Sequence, residues 1–487
     1  MTFELANQAL LQSGCLINGA WTGADDNSTR DVTNPADGSK VGVMANAGSA
    51  EAQRAVEAAE KALTSWRETS ADERAALLMK WHDLMLANQE DLARLMTAEQ
   101  GKPLGEARGE IAYGASYLKW FAEEARRLYG DVIPAPGPDK RVLVIRQAVG
   151  VVACITPWNF PNAMLTRKIA PALAAGCTVV CKPATATPLS ALAVGQLAIE
   201  AGIPAGVVNI VTGKTAEIGD VLTTHPAIRK VSFTGSTEVG KELLKACADT
   251  VKRTSMELGG NAPFIVFDDA DLDAAVEGAI ICKFRNAGQT CVCANRIYVQ
   301  SGVYDEFARR LAARASDMKV GNGLEEGTEV GPLIDDKAVD FVMGLIDDSR
   351  AAGAEVLSGG ARHDAGELFI APTVMTGGNS EMRIHNEEIF GPVAMLYRFD
   401  SEEEIIRLAN DTPFGLASYF YARDIGRIWR VAEGLEYGIV GINEGIISNA
   451  AAPFGGVKES GQGREGSKYG LDDYTEIKYL CMGGIDK

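Results

Sequence analysis

The sequence has little of what a nucleic-acid-binding protein or a zinc protein needs. Lys and Arg number 47 against 65 Asp and Glu, which gives a formal net charge of -18. Such a surface repels phosphate backbones. Only four histidines occur, all far in sequence from Cys291 and Cys293, whose Cys-x-Cys spacing is too tight for a zinc finger. We therefore expect no nucleic acid partner and no bound metal.

Long apolar runs and a regular cysteine framework are also lacking. Residues 147–166 form one uncharged run long enough to cross a bilayer, but Pro157, Asn159 and Pro161 interrupt it, so a buried strand followed by a loop fits better. The N-terminus has no basic segment typical of a signal peptide. The nine cysteines are odd in number and irregularly spaced, which indicates a reducing compartment. These patterns predict a cytoplasmic protein that binds no membrane.

The distribution of apolar residues predicts an α/β fold with more than one lobe, because 487 residues exceed what one core holds. Helices dominate the first hundred or so residues: Ser70 to Glu73 is a capping box, and one helix is expected from about Leu104 to Tyr129. From residue 149, buried runs alternate with helical segments, as in βαβ units around a parallel sheet. The expected parts are a cofactor-binding domain (1–127 and 148–259), a catalytic domain (260–472) and a small β arm for subunit contact (128–147 and 473–487).

Ligands of parallel sheets bind at the carboxyl ends of the strands, which directs attention to two strand ends. The loop from Gly235 to Gly240 follows one strand and opens a helix, so its amides and Ser236 could hold a pyrophosphate. Lys182 ends another apolar strand, where it suits ribose hydroxyls or a phosphate, or is simply an exposed lysine. A second glycine pattern, from Gly461 to Gly466, has no strand before it and is interpreted as a loop.

Three further residues could carry out a reaction. Cys291 follows an apolar run that gives way to small and polar residues, a setting for a chemical thiol. Glu257 lies between apolar neighbours, where desolvation would raise its pKa toward that of a general base, unless it is a salt-bridged core acid. Asn159 offers an amide donor for an oxyanion, or serves a turn. Together they predict thiolate addition to an aldehyde, hydride transfer to a nicotinamide and hydrolysis of the thioester.

Seven motifs in order carry a family resemblance over essentially the whole chain. They are Pro157-Trp-Asn-Phe-Pro161, Lys182-Pro-Ala, Phe233-Thr-Gly-Ser-Thr-Glu-Val-Gly240, Glu257-Leu-Gly-Gly-Asn261, Gly288-Gln-Thr-Cys291, Glu388-Ile-Phe-Gly-Pro392 and Pro453-Phe-Gly-Gly456. With them the sequence resembles the NAD(P)-dependent aldehyde dehydrogenases. The resemblance implies that family's fold, with a Rossmann-type cofactor domain, an α/β catalytic domain and a β oligomerisation arm, and a homotetramer built from dimers.

The resemblance also assigns roles to residues. It implies that Cys291 is the nucleophile, that Glu257 is the base, and that Asn159 and the Cys291 amide form the oxyanion hole. The residues it places on the cofactor are Trp158, Lys182, Thr185, Gly235, Ser236, Leu258, Glu388 and Phe390.

Within the family, the segments around Cys291 and Ser448 resemble the branch that acts on succinate semialdehyde or glutarate semialdehyde. Arg167, Arg285 and Ser448 match that branch's carboxylate-binding positions, although either arginine could instead form a surface ion pair. If a helix continues from Arg285 to Cys291, the two are roughly 9 Å apart, which a short half-aldehyde could bridge. The sequence leaves open which semialdehyde is used, and Glu444 adds an acid near the proposed anion pocket.

Two positions lead to finer hypotheses. Thr185 stands where relatives that prefer NAD often carry Glu, so we expect NADP to be used at least as well as NAD. Cys293 could form a reversible disulfide with Cys291, or could be a packing residue. A thioester-forming acyltransferase or amidase, a CoA-acylating enzyme and a non-catalytic protein on the same fold are the alternatives, but they would leave the cofactor loop, Glu257 or Cys291 without a role.

Overall fold

The computed structural model describes residues 4–485, so residues 1–3 and 486–487, which belong to the expected cofactor domain and arm, lie outside it. The α-helices in the described range are α1 (Ser49–Glu68), α2 (Ala71–Ala87), α3 (Gln89–Gln100), α4 (Leu104–Glu124), α5 (Ala163–Ala175), α6 (Pro188–Ala201), α7 (Thr215–Thr224), α8 (Thr237–Ala248), α9 (Leu272–Phe284), α10 (Tyr304–Ser316), α11 (Asp336–Ala351), α12 (Arg383–Asn386), α13 (Glu402–Asn410) and α14 (Ile425–Gly434).

The strands in the same range are β1 (Cys15–Ile17), β2 (Ala20–Thr22), β3 (Thr29–Thr33), β4 (Lys40–Ala45), β5 (Asp131–Ile133), β6 (Arg141–Ala148), β7 (Val151–Ile155), β8 (Thr178–Lys182), β9 (Val208–Ile210), β10 (Ile228–Thr234), β11 (Arg253–Glu257), β12 (Ala262–Val266), β13 (Ala294–Gln300), β14 (Glu355–Ser358), β15 (Thr373–Thr376), β16 (Val393–Phe399), β17 (Ala417–Tyr421), β18 (Ile439–Ile442), β19 (Gly461–Gln462) and β20 (Thr475–Met482).

The first large sheet has the strand order β19-β11-β10-β7-β8-β9-β1-β2. Its five middle strands are parallel, and helices cover both faces. Strand β7 shows why: Val152 and Cys154 enter the core shared with α2 to α6, whereas Val151 and Ala153 enter the core shared with α1 and α7. A strand buried on both faces must be apolar throughout, as the sequence predicted here.

The second large sheet has the order β14-β15-β16-β13-β12-β17-β18 and is parallel except for β14. It is also buried on both faces, since Phe264 and Ile265 of β12 belong to different cores. The fold is therefore α/β with two mainly parallel sheets, as expected.

A separate three-stranded antiparallel sheet, β20-β6-β5, is built from the two segments expected to form the arm. Several of its apolar side chains are exposed, among them Val132 at 81%, Ile477 at 67% and Tyr479 at 62%. Both outer strands, β20 and β5, have an unpaired edge within the described part of the chain.

Three local predictions need comment. The capping box is confirmed, because the Glu73 main-chain amide donates to the Ser70 hydroxyl at 3.2 Å and the Glu73 carboxylate accepts from the Ser70 amide. The helix expected up to Tyr129 ends earlier, since α4 stops at Glu124 and a 3-10 turn covers Ala125–Arg127 before β5 begins. The loop interpretation of Gly461–Gly466 was wrong at its start, where β19 pairs with β11.

Within residues 4–485, no helix is both long enough and apolar enough to cross a membrane.

Candidate active site

A cavity of about 550 Å³ lies where the loops that follow the parallel strands converge. The loops after β7, β10 and β11 form part of its wall, and the segment from Arg285 to Val292 forms another part. Carboxyl ends of parallel strands meet at one sheet edge, which is why residues far apart in sequence gather there. The predicted residues on the wall are Trp158, Asn159, Arg167, Gly235, Ser236, Leu258, Arg285, Cys291, Glu388, Phe390 and Ser448.

Cys291 reaches this cavity through a tight reversal of the chain. Helix α9 ends at Phe284, so the helix expected to continue from Arg285 to Cys291 is wrong. The three residues Asn286, Ala287 and Gly288 have φ values of 52°, 54° and 76°, in the left-handed region that a right-handed helix cannot contain. Glycine is required at 288, because a Cβ there would collide with the Gly391 carbonyl oxygen.

The Cys291 thiol is protonated in the resting protein. Burial raises its pKa to about 12, although the positive charge of Arg167 acts in the opposite direction. Because a thiolate is the reactive form, this cysteine requires a nearby group that accepts its proton.

Glu257 is a suitable acceptor. It ends β11, is 3% exposed, and neither carboxylate oxygen has a hydrogen-bond partner in residues 4–485. Burial and the neighbouring carboxylate of Glu465 raise the pKa of Glu257 well above its usual range, against the opposing charge of Arg167. The alternative of a salt-bridged core acid is wrong, because the carboxylate makes no ion pair within the described residues. A buried, unpartnered carboxylate of this kind can take up a proton near neutral or alkaline pH.

Asn159 lies in the loop between β7 and α5, on the same wall. Its Nδ2 donates one hydrogen bond, to the main-chain carbonyl of Gln289 at 3.0 Å. An amide nitrogen has two hydrogens, so the second is left for an oxygen in the cavity. This bond also ties the Asn159 loop to the segment that carries Cys291.

Both polar and apolar predicted residues line one part of the cavity. The Ser236 hydroxyl caps α8 by accepting from the Val239 amide at 3.4 Å. Glu388 accepts from the Gly260 amide at 3.0 Å, and burial raises the pKa of Glu388 to about 8. The rings of Trp158 and Phe390 meet edge to face at 5.6 Å, and Leu258 packs in a small cluster with Phe233 and Met256.

Lys182 and Thr185 do not line this cavity. Lys182 is 3% exposed, which rules out the exposed strand-end lysine. Its ammonium donates to the Pro183 carbonyl at 3.0 Å, and burial lowers the pKa of Lys182 to about 8. An ammonium has three hydrogens, so two can bind hydroxyls or a phosphate. Thr185 is half-buried, with its hydroxyl 3.3 Å from that of Thr215.

Two guanidinium groups with unused donors line the cavity. Arg167, on α5, is 1% exposed, pairs with Glu465 and lies 4.2 Å above the Phe454 ring, yet its Nη1 and Nη2 have no hydrogen-bond partner in the described chain. Arg285 lies 5.5 Å from the Phe160 ring and makes no ion pair or side-chain hydrogen bond within residues 4–485. Neither arginine therefore forms a surface ion pair. Ser448 is half-buried on the same wall.

Glu465 is the residue that sequence reasoning missed. It is 3% exposed and joins Arg167 to Lys168, whose ammonium lies 2.5 Å from the other carboxylate oxygen. It lies inside the glycine pattern that was interpreted only as backbone, so the single signal was an acid within a segment of unexplained glycines. Apolar wall residues, including Met164 and Phe454, were not predicted either. No group of side chains suited to a metal ion occurs among the residues described.

Comparison with known proteins places these observations in context. Residues 21–480 match the model of the Aldehyde dehydrogenase family. The chain is 60% identical to a 3-sulfolactaldehyde dehydrogenase of Pseudomonas putida (99% of this chain, 100% of that one) and 60% identical to a glutarate-semialdehyde dehydrogenase of Pseudomonas putida KT2440 (98% and 99%).

A third relative, the NADP(+) succinate-semialdehyde dehydrogenase of Escherichia coli K12, is 58% identical (99% and 100%). Among solved structures, succinate-semialdehyde dehydrogenase from Burkholderia pseudomallei superposes with a TM-score of 0.98 at 57% identity, covering 99% of this chain and 100% of that one.

Proposed function

Because the chain belongs to the aldehyde dehydrogenase family, we propose that it oxidises succinate semialdehyde to succinate with NADP⁺, and accepts NAD⁺ as well. One observation carries the choice of substrate: Arg167 and Arg285 both line the cavity that holds Cys291. The Nη1 and Nη2 atoms of Arg167 have no hydrogen-bond partner, and Arg285 makes no ion pair or side-chain hydrogen bond within residues 4–485. Guanidinium groups bind carboxylates through paired, charge-assisted hydrogen bonds. An aldehyde with an anionic far end can therefore be held at both ends, and Ser448 adds a hydroxyl.

In the proposed mechanism, Glu257 takes the proton of the Cys291 thiol, and the thiolate adds to the aldehyde carbon. Asn159 donates its free amide hydrogen to the resulting oxyanion. The nicotinamide cofactor supplies an acceptor for the hydride that leaves this carbon. Glu257 then passes this first proton to solvent, which restores its carboxylate. The product on Cys291 is a thioester; Glu257 takes a proton from the water that attacks it and returns that proton to the departing Cys291 sulfur. Succinate then leaves, and the thiol is restored.

The residues present fit a nicotinamide dinucleotide. The N-terminus of α8, with Gly235 and Ser236, suits a pyrophosphate, and Lys182 has free hydrogens for the ribose side. Trp158, Leu258, Glu388 and Phe390 line the cavity next to Cys291, where the nicotinamide must lie. Thr185 is uncharged, so it does not repel a 2'-phosphate, which supports NADP.

Glutarate semialdehyde is the second candidate, because the same arginines would bind its carboxylate. Relatives at 58–60% identity are named for different anionic aldehydes. To decide between the two semialdehydes, kcat/KM is measured for a panel of aldehydes. The panel contains succinate semialdehyde, glutarate semialdehyde, 3-sulfolactaldehyde and uncharged aldehydes of matched length. The proposal expects the highest value for succinate semialdehyde and low values for all uncharged aldehydes.

The direct test follows NADP reduction by absorbance after succinate semialdehyde is added. The purified protein should reduce the cofactor and release succinate, and Cys291→Ala should do neither while still binding NADP. Succinate released without cofactor reduction would contradict oxidation. Failure of the parent protein with every aldehyde of the panel would refute the proposed function.

We further propose a cytoplasmic homo-oligomer, a tetramer made of two dimers, whose three domains have the boundaries given above. The exposed apolar residues and free edges of the sheet β20-β6-β5 support subunit contact through the arm, since unpaired edges and apolar patches mark association sites. Light scattering after size-exclusion chromatography measures the mass. A monomer at micromolar concentration would contradict this assembly.

A further inference from the structure

A buried ion pair contacts the loop between β7 and α5 that carries Asn159, which we call the oxyanion loop. This ion pair has no part in the mechanism above. Lys102 precedes α4 and Glu110 lies within it, and their side chains are 0% and 1% exposed. The Lys102 ammonium is 2.5 Å from a Glu110 carboxylate oxygen. An ion pair buried this completely is often no more stabilising than apolar residues of the same size. Its position therefore needs an explanation other than stability.

The pair holds the main chain of the oxyanion loop at Asn159 and at the residues that follow it. The Lys102 ammonium donates to the Asn159 carbonyl at 2.7 Å and lies 3.9 Å from the centre of the Phe160 ring. The second Glu110 oxygen accepts from the amides of Asn162 and Ala163 at 3.0 and 3.2 Å, at the start of α5. All three ammonium hydrogens thus face a carboxylate, a carbonyl or a ring.

The same carbonyl connects this loop to the nucleophile segment. Asn286 Nδ2 donates to the Asn159 carbonyl at 3.0 Å and to the Gln289 carbonyl at 3.2 Å. Asn159 returns a bond from its own side chain to Gln289. The Asn159 main chain is therefore held by Asn286 and Lys102, its side-chain amide is held by the Gln289 carbonyl, and Lys102 is the charged donor among these groups.

We propose that Lys102 and Glu110 are positioning residues of the oxyanion hole: their ion pair fixes the Asn159 main chain so that its amide meets the oxyanion formed on Cys291. This inference rests on the proposed function, because it assigns Asn159 to the oxyanion. Glu110 lines the same cavity as Asn159 and Cys291, but its two carboxylate oxygens are taken up by Lys102 and by the Asn162 and Ala163 amides. Since the oxyanion forms in both the addition and the hydrolysis steps, a misplaced Asn159 lowers kcat rather than substrate binding.

The test uses the double variant Lys102→Met/Glu110→Gln, which removes both charges of the ion pair together. Its kcat with succinate semialdehyde and NADP is expressed per titrated active-site thiol, so that loss of folded protein does not count. We expect kcat to fall about 10- to 100-fold, as for a small misplacement of a catalytic group, while both KM values stay within about threefold. Unchanged kcat per thiol would overturn the inference.

Lys252→Met is the matched control. Lys252 is 8% exposed, and its ammonium also donates to two main-chain carbonyls, those of His225 and Ile228 at 2.7 and 2.9 Å, but it does not line the cavity. Its loss should lower the melting temperature and leave kcat per thiol unchanged. An equal fall in kcat for the control would show a general effect of lost burial and would overturn the inference.

Glu110→Gln decides the question if the double variant does not fold. It keeps the size of the side chain and an oxygen for the Asn162 and Ala163 amides, and it weakens only the hold on Lys102. A fall in kcat of at least about threefold at unchanged KM supports the inference, and an unchanged kcat overturns it. An inactive parent protein would instead refute the proposed function.

Discussion

Replacing Arg285 with Met tests whether this arginine binds the carboxylate of the substrate. Methionine keeps an unbranched apolar stem next to Phe160 but removes the guanidinium group. Because Arg285 has no ion pair or side-chain hydrogen bond within residues 4–485, its loss breaks no bond. It removes one of the positive charges that lower the pKa of the buried Glu106, so the melting temperature should change little. Hydrogen bonds between charged groups contribute about 1.5–3 kcal/mol. At about 1.4 kcal/mol per tenfold, kcat/KM for succinate semialdehyde should fall roughly 10- to 150-fold.

The assay compares succinate semialdehyde with butanal, which has the same number of carbons and no carboxylate. In Arg285→Met, kcat/KM for butanal should stay within about threefold of the parent value, because the uncharged aldehyde loses no ionic contact. An equal fall for both aldehydes would refute the reasoning and place Arg285 in catalysis or folding. Arg167 is a poorer probe, since its removal would strip Glu465 of a buried partner and cost about 3–5 kcal/mol of stability.

Three further predictions concern the base, the cofactor and the second thiol. Burial and a neighbouring carboxylate raise the pKa of Glu257, so the fraction of Glu257 in its active, deprotonated form increases with pH. The kcat should therefore increase above neutral pH. Glu257→Gln should have a low kcat that does not show this increase. Lys182 loses its charge near its pKa of about 8, so the ratio of kcat/KM with NADP to kcat/KM with NAD should fall as pH rises. In Lys182→Arg this ratio should not change with pH. Thr185→Glu should lower kcat/KM for NADP alone by at least about tenfold. Cys293 is 7% exposed, and its thiol donates to the Lys283 carbonyl at 3.4 Å, which fits a packing residue. Cys293→Ala should therefore lose activity in peroxide and regain it with reductant, as the parent protein does. Irreversible loss of activity in the variant alone would indicate a disulfide between Cys293 and Cys291.

The sequence predicts the parts of the site that depend on the order of strands and loops. Cys291, Glu257 and Asn159 were expected together because strand ends of a parallel sheet converge. The structure brings Cys291 and Asn159 to one cavity, with Glu257 buried next to its wall residue Leu258 and close enough for its charge to act on Cys291. The condition that a helix continues from Arg285 to Cys291 is not met, since Asn286 and Ala287 adopt left-handed conformations. Asparagine tolerates this conformation, but alanine gives no signal of it in the sequence.

Contacts between distant segments were beyond sequence reasoning. Lys168 and Glu465 are 297 positions apart, and no local pattern relates them. The pairing of Lys102 with the Asn159 carbonyl likewise depends on how α4 packs against the loop before α5. Which charged groups surround the reacting residues therefore depends on the tertiary structure and could not be predicted from the sequence.

Glu465 explains how an acidic protein can keep a cationic pocket buried. Two cations, Arg167 and Lys168, would be costly to bury alone, and one carboxylate offsets part of that cost while leaving the outer nitrogens of Arg167 free for a substrate anion. Burial alone would raise the pKa of Glu465, but these two cations outweigh it and hold the group ionised. The same negative charge raises the pKa of Glu257. When the substrate carboxylate binds Arg167, it adds negative charge on the same side of the cavity, so substrate binding itself should strengthen Glu257 as a base.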